Sequence, residues 1–370
     1  MRDILPDIQL WLGQGKQAAL VTVVGTWGSA PRPVGSKMGV TEALEMSGSV
    51  SGGCVEASVV VEALAVLQTG RPKRLHYGVS DESAWEVGLA CGGQLDLYLE
   101  PLAPLLEPHD PGSPSVFEAL TQALRNEVSI ARATIIQGPD ELLGQTLLVD
   151  ADGDVGGSIA ASLEGPVTCD AREALARAGS ELRRYPHQEG EIEVFFDVQL
   201  PSPVLVMVGG VHLAIELAKQ AQLLGYRVVV VDPRKAFASE ARFPQADQLV
   251  HLWPDEALQS IGLTAGTAVA VLSHDPKLDD AALRVALPGP AFYVGALGSR
   301  RTQALRRQQL LEAGLGANLL DRLHAPIGLD LRGRKTEEIA LSIMAEIVAA
   351  RAGSPLVGPR EPLGPQDGED

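Results

Sequence analysis

Apolar and polar positions in this chain first fall into short bursts and then, in the last third, into longer runs. Residues 18–25 (Ala-Ala-Leu-Val-Thr-Val-Val-Gly) and 131–138 (Ala-Arg-Ala-Thr-Ile-Ile-Gln-Gly) both read as strands. Each is followed by a second strand (35–40 and 144–149) and then a Gly-Ser-aliphatic step, Gly48-Ser49-Val50 or Gly157-Ser158-Ile159. A helical stretch comes next, around Glu62-Ala63-Leu64 or Glu173-Ala174-Leu175, and then a last strand at 93–98 or 190–195. Helices are predicted in front of each series, at 5–12 and 117–124. The order is kept throughout, which predicts an internal duplication of roughly a hundred residues. Beyond it the apolar runs become continuous (204–208, 226–231, 268–272, 292–294), as in parallel strands buried on both faces. An amphipathic helix is predicted over 337–350. The expected fold class is α/β: a C-terminal Rossmann-like doubly wound parallel sheet preceded by an N-terminal α+β domain built from the duplication.

Punctuation sets the expected domains. Prolines at 101, 104, 108, 111 and 114 mark a connector between the copies, and Pro201-Ser202-Pro203 marks the next boundary. The units expected are 1–100, a degenerate second copy at 115–200, a Rossmann-like domain at 201–351, and a Gly-, Pro- and acid-rich tail at 352–370 expected to be disordered.

The differences between the copies carry the chemistry. The first copy contains Ser49-Val50-Ser51-Gly52-Gly53-Cys54-Val55-Glu56, just before its helix; the second has Ala160-Ala161-Ser162-Leu163-Glu164 there. The first copy also holds an extra segment before its last strand, Val79 to Cys91, ending Ala90-Cys91-Gly92-Gly93. Two of the three cysteines thus sit on features that only one copy has. Gly52 and Gly53 let backbone N–H groups approach an anion, and a helix N-terminus adds donors and partial positive charge. That setting suits a reactive thiolate at Cys54, with Cys91 as its companion. The competing reading is a free thiol that packs beside a tight turn.

Composition narrows the classes. The formal net charge of −17 argues against nonspecific binding to nucleic acid or acidic membrane. No apolar run approaches the ~20 residues of a membrane span. The start Met1-Arg2-Asp3-Ile4-Leu5-Pro6 does not read as a signal peptide, and three cysteines make no disulfide framework. A cytoplasmic location is expected.

In the C-terminal part, strand 204–208, Gly209-Gly210-Val211-His212-Leu213-Ala214, a helix, and a second strand ending in Asp232 follow the dinucleotide-binding order. Val211 stands where the second fingerprint glycine belongs, which speaks against ordinary NAD(P) binding. Ser273-His274-Asp275 ends a later strand; His274 fits either a structural or a catalytic role. Gly298-Ser299-Arg300-Arg301 opens a helix and offers N–H groups, a hydroxyl and guanidinium groups to phosphate; the plainer reading is an N-cap and surface charge.

These motifs, taken in order, resemble the XdhC/CoxI family of accessory proteins that mature xanthine-dehydrogenase-like molybdoenzymes. The resemblance runs through Gly28-Ser29-Ala30-Pro31-Arg32, Gly35-Ser36-Lys37-Met38, Gly52-Gly53-Cys54-Val55-Glu56, Cys91-Gly92-Gly93, Ser273-His274-Asp275-Pro276-Lys277-Leu278-Asp279, Gly295-Ala296-Leu297-Gly298-Ser299-Arg300 and Pro326-Ile327-Gly328-Leu329-Asp330. It implies binding of the molybdenum cofactor, help with its sulfuration and insertion, and partnership with an apo-molybdoenzyme of the xanthine dehydrogenase type. A cysteine desulfurase and a homodimer are further expectations. Under this reading Cys54 is the soft contact to molybdenum, with Cys91 beside it in the chemistry. Glu56 orients or deprotonates a thiol or pterin N–H. Arg32 and Lys37 neutralise phosphate, Gly52, Gly53 and Gly298 cradle it, and Ser299, Arg300 and Arg234 contact it. Gly209, Gly210, His212, Asp232 and His274 complete the expected cofactor contacts. Two alternatives remain open here: an NAD(P)-dependent oxidoreductase, and a thiol- or sulfur-transfer enzyme using Cys54 and Cys91.

Overall fold

The computed structural model describes residues 1–28, 32–78, 93–188 and 190–354. The chain divides into two compact units, Met1–Pro201 and the part from Ser202 onward.

In the first unit, copy one runs α1 (Leu5–Gly13), β1 (Ala18–Trp27), β2 (Lys37–Thr41), β3 (Met46–Gly48), α2 (Glu56–Thr69), β4 (Lys73–Tyr77) and β5 (Gln94–Pro101). A short helix, α3 (Ala103–Leu106), lies in the proline-rich connector and buries Leu105. Copy two runs α4 (Val116–Arg125), β6 (Ile130–Gln137), β7 (Thr146–Val149), β8 (Asp154–Ser158), α5 (Ala161–Arg177), β9 (Glu181–His187) and β10 (Gly190–Gln199). The strand orders are β3-β2-β1-β5-β4 and β8-β7-β6-β10-β9, one topology used twice, and every pairing is antiparallel. Two glycines mark the equivalence. Gly48 (φ +81°) and Gly157 (φ +79°) each lie against the carbonyl of the first residue of the neighbouring strand, Lys37 or Thr146. A Cβ at either position would collide with that oxygen, so only glycine fits.

The sequence pattern missed β4 and β9. Both are edge strands. In β4, Leu75 and Tyr77 pack under α2 while Lys73, Arg74 and His76 are polar, so the apolar signal is only two residues deep. Pro186 sits in β9, where an edge strand tolerates it.

The two sheets meet through a symmetric quartet, Val24 and Tyr98 from one copy and Ile136 and Phe195 from the other. Beside it lie two buried, crossed ion pairs. Arg132 donates to both carboxylate oxygens of Glu100 (2.7 and 2.5 Å). Lys37 Nζ lies 2.8 Å from Asp197 and donates to Thr22 Oγ1 at 3.3 Å. Burial works against the charge on Asp197, but Lys37 beside it holds its carboxyl below the usual range.

The second unit contains β11 (Val204–Val208), α6 (His212–Leu223), β12 (Arg227–Val231), β13 (Gln248–Val250), α7 (Pro254–Ile261), β14 (Thr267–Val271), α8 (Pro276–Ala286), β15 (Tyr293–Ala296), α9 (Arg300–Glu312), α10 (Ala317–Leu320), β16 (Leu323–His324) and α11 (Thr336–Arg351). The sheet is parallel throughout, in the order β13-β12-β11-β14-β15-β16. This is the doubly wound order with its switch point between β11 and β14. Alternate residues of β11 face opposite cores: Leu205 and Met207 pack with α6 and α11, Val206 and Val208 with α7 and α8. That two-sided burial explains the unbroken apolar runs in the sequence.

Candidate functional site

Three connections leave the first sheet at one end. β1 ends at Trp27, which faces Gln94 at the start of β5; β4 ends with Tyr77 opposite Leu95; β3 ends with Gly48 opposite Met38. The β1–β2, β3–α2 and β4–β5 links therefore emerge together. In copy two the last two of these links are trimmed. Only Ile159 and Ala160 separate β8 from α5, and only residues 188 and 189 separate β9 from β10, where residues 78–93 separate β4 from β5.

Within the β3–α2 link Glu56 is a clamp. Its carboxylate accepts from Ser49 Oγ (2.7 Å), Ser51 Oγ, Ser51 N–H (2.9 Å) and Gly53 N–H (2.9 Å). Gly52 N–H donates to Ser49 Oγ at 3.0 Å and Val55 N–H to Ser51 Oγ at 3.0 Å. Burial opposes charge on Glu56, but the Ser51 and Ser49 hydroxyls and the backbone donors hold its carboxyl down to about 2. These contacts correct two sequence expectations. Glu56 has its carboxylate occupied by four donors of its own loop, so in this structure it fixes the loop and is not turned to a ligand. The N–H groups of Gly52 and Gly53 are held by the protein's own oxygens and do not point into an anion site. Cys54 is exposed, a free thiol at the tip of this clamped loop and just ahead of α2. Arg32 reaches the same link, its Nε donating to the Ser49 carbonyl at 3.2 Å.

Lys37 is corrected as well. Its ammonium is buried against Asp197 between the sheets and cannot meet a ligand phosphate. Cys91 lies outside the described residues, as does the tail from 355.

In the second unit the strand ends bring together the turns expected from sequence, with altered roles. Gly209 (φ +106°) packs against the Ser273 backbone, and a Cβ on Gly210 would come 2.5 Å from the Phe237 carbonyl oxygen. The glycine turn is therefore covered by the chain's own 233–242 segment, and Gly210 N–H donates to Asp232 at 2.9 Å. Asp232 is buried and bound to Arg234 through Nε and Nη2, both at 2.8 Å. Burial works against its charge, but Arg234 and the Gly210 N–H keep its carboxyl below the usual range. The expected ligand contacts at Gly209, Gly210 and Asp232 are therefore closed, whereas His212 is exposed at the first position of α6.

His274 is exposed and adopts φ +62°, a left-handed backbone that a non-glycine residue rarely holds. It lies three residues beyond the end of β14, at the switch point. Beneath it Ser273 donates to Asp279, which also accepts from Arg306 Nη2 at 2.6 Å; Gln303 donates to the Ala296 carbonyl at 3.1 Å. This buried network ties the β14 and β15 loops together. Ser299 is the N-cap of α9, accepting from Thr302 N–H at 3.2 Å, as the plainer sequence reading had it. Gly298 (φ +141°) makes the turn before it. Arg300 and Arg301 are exposed in the first turn of α9, without partners among the described residues, where two cations oppose the helix dipole unless an anion balances them.

Sequence reasoning missed the serines of the clamp, although Ser51 and Glu56 around a Gly-Gly turn resemble a capping pattern. It also missed His76, whose Nδ1 lies 2.8 Å from Asp96 on the exposed side of β4. Among the described residues no group of three or more His, Cys, Asp or Glu side chains is placed to hold a metal ion. No described helix is long and apolar enough to cross a membrane.

A twice-used antiparallel unit with an exposed thiol loop on one copy, followed by a doubly wound domain whose glycine turn is covered, defines a two-part protein. The chain belongs to the XdhC and CoxI family. The model of that family matches residues 11–78, and the family model described as the XdhC Rossmann domain matches 205–347. The molybdenum cofactor insertion chaperone PaoD of Escherichia coli (strain K12) is 30% identical over 345 residues, covering 92% of this chain and 85% of that protein. A Bacillus subtilis (strain 168) protein, named as a probable subunit of xanthine dehydrogenase, is 26% identical over 338 residues, with coverage of 91% and 94%. A crystal structure from Bacillus halodurans, described as a xanthine dehydrogenase, has the same fold: TM-score 0.74 at 22% identity, over 96% of this chain and 97% of that one.

Proposed function

We propose that this protein is a carrier for the molybdenum cofactor that helps in its sulfuration and delivers it to a xanthine-dehydrogenase-type apoenzyme. The observation that carries the reading is the exposed Cys54 thiol on a loop locked by Ser49, Ser51 and Glu56. A soft thiolate suits a molybdenum centre, and a preordered loop presents it without further ordering entropy. Arg32 beside the loop offers charge to the cofactor's phosphate; Arg300 and Arg301 are an anion contact of the second unit taken by itself. The name of the E. coli relative supports the cargo, and that of the B. subtilis relative supports the target class. Sulfur would come from a cysteine desulfurase, with Cys91 as second thiol. Homodimer formation and action in the cytoplasm belong to the same reading.

The NAD(P)-dependent oxidoreductase has less support, because Asp232 and the glycine turn are closed by the chain itself. A thiol- or sulfur-transfer enzyme remains a partial activity of the carrier, resting on Cys54.

Anaerobic binding of purified molybdenum cofactor to the wild-type protein and to Cys54→Ala tests the proposal. Stoichiometric binding weakened at least tenfold in the variant, about 1.4 kcal/mol, is expected. Absence of binding to the wild-type protein sinks the carrier; tight binding indifferent to the mutation removes the thiolate contact.

A further inference from the structure

In a doubly wound sheet of this order, the acid at the end of the second strand accepts from a ribose diol of the bound dinucleotide. Asp232 holds that position at the end of β12 and is fully buried. Oδ1 accepts from Arg234 N–H at 2.9 Å and from Arg234 Nε at 2.8 Å; Oδ2 accepts from Gly210 N–H at 2.9 Å and from Arg234 Nη2 at 2.8 Å. A carboxylate has about four acceptor positions, so none is left for a hydroxyl. The edge of the guanidinium supplies two parallel donors, the same pair that a vicinal diol would present.

We propose that Arg234 is a built-in occupant of the ribose-diol position, so that the C-terminal unit rejects ribose-bearing dinucleotides and takes a phosphate ester or similar oxyanion. The rest of the guanidinium faces outward. Nη1 has no partner among the described residues, the side chain is 40% exposed, and its Cζ lies 3.9 Å from the centre of the Phe237 ring, which holds it flat. The covering segment is fastened too: Arg242 Nη1 donates to the Gly210 carbonyl at 2.7 Å and to the Phe237 carbonyl at 2.6 Å. Asp232 thus turns from a reader of sugars into a brace that aims a cation at the strand ends. This goes beyond the carrier reading by naming which part of a ligand the second unit recognises, and either can fail without the other.

The test is calorimetric binding of inorganic pyrophosphate and of ADP-ribose to the full-length protein. ADP-ribose adds two ribose diols to a diphosphate but also an adenine and two ester bonds that lower its charge, so the change in the affinity ratio between wild type and variant is read, not the ratio itself. The wild-type protein is expected to bind pyrophosphate and to favour it over ADP-ribose. In Arg234→Ala that preference is expected to fall at least tenfold, about 1.4 kcal/mol, as the anion contact goes and Asp232 is unmasked. Arg234→Lys keeps a cation but not the fork and supplies the same reading if the alanine variant does not fold. A smaller fall in the folded variants overturns the proposal. So does a wild-type protein that binds no pyrophosphate, or one that prefers ADP-ribose and loses it in Asp232→Asn.

Discussion

The two copies in the first unit share a strand order, a leading helix, and a glycine pressed on the same neighbouring carbonyl, yet they differ at one end of their sheets. Copy one has longer β3–α2 and β4–β5 links there and places Cys54 on the first of them; copy two closes those two almost directly, while its β6–β7 link (138–145) nearly matches the β1–β2 link (28–36) in length. Chemistry has been added to loops whose supporting sheet stays the same. Copy two contributes support instead: its Arg132 and Asp197 complete ion pairs with Glu100 and Lys37 of copy one.

The largest expected effect comes from breaking that support. Lys37→Met leaves the Asp197 charge buried and unpaired and should cost about 3–5 kcal/mol in urea unfolding, while the double variant Lys37→Met/Asp197→Leu should recover most of it. A loss below ~1 kcal/mol for the single change would deny copy two its supporting role. Next, replacing residues 49–55 with the two-residue link Ile-Ala of copy two should keep the fold by circular dichroism but weaken molybdenum cofactor binding at least tenfold, about 1.4 kcal/mol. Unchanged binding would move the chemistry elsewhere. Glu56→Gln should remove charge-assisted bonds worth about 1–3 kcal/mol and speed amide exchange at Ser51 and Gly53. Its pH dependence has a definite sign. A carboxyl lowered in the folded state from 4.5 to about 2 stabilises fully above 4.5, and that contribution fades as pH falls from there towards 2. Glu56→Gln should therefore flatten the acid side of the stability profile. The smallest effect is expected at Cys169, the exposed cysteine of copy two on α5. Cys169→Ser should leave stability within about 0.5 kcal/mol and cofactor binding unchanged; a binding loss like that of Cys54→Ala would erase the distinction between the copies.

The architecture was readable because its signals are periodic. Val204–Val208 is apolar at every position since both faces are covered, and the duplicated Gly-Ser steps at 48 and 157 carry a steric requirement that no other residue meets. Edge strands were not readable, because Leu75 and Tyr77 alone give β4 its buried face. At the site, sequence named residue types but not their partners. Lys37, Glu56 and Asp232 are all ionisable and lie in the right motifs, and each turned out to be satisfied by the protein itself: by Asp197, by two serines and the backbone, and by Arg234. Cys54 and Arg300 have no such partner among the described residues, and that distinction exists only in three dimensions.

The crossed ion pairs also bear on how such a molecule becomes lopsided. Glu100 pairs in register with Leu20, and Asp197 with Arg132, so the two acids hold the same place in their respective sheets. Each half offers one acid and one base to the other, but the bases come from different places, Lys37 from β2 and Arg132 from β6, so the acids keep the symmetry of the duplication and the bases have departed from it. In a dimer of separate chains every altered loop would appear twice. Within one covalent chain, one half can lengthen its loops and acquire a thiol while the other keeps the short links and the shared charges that hold the pair together.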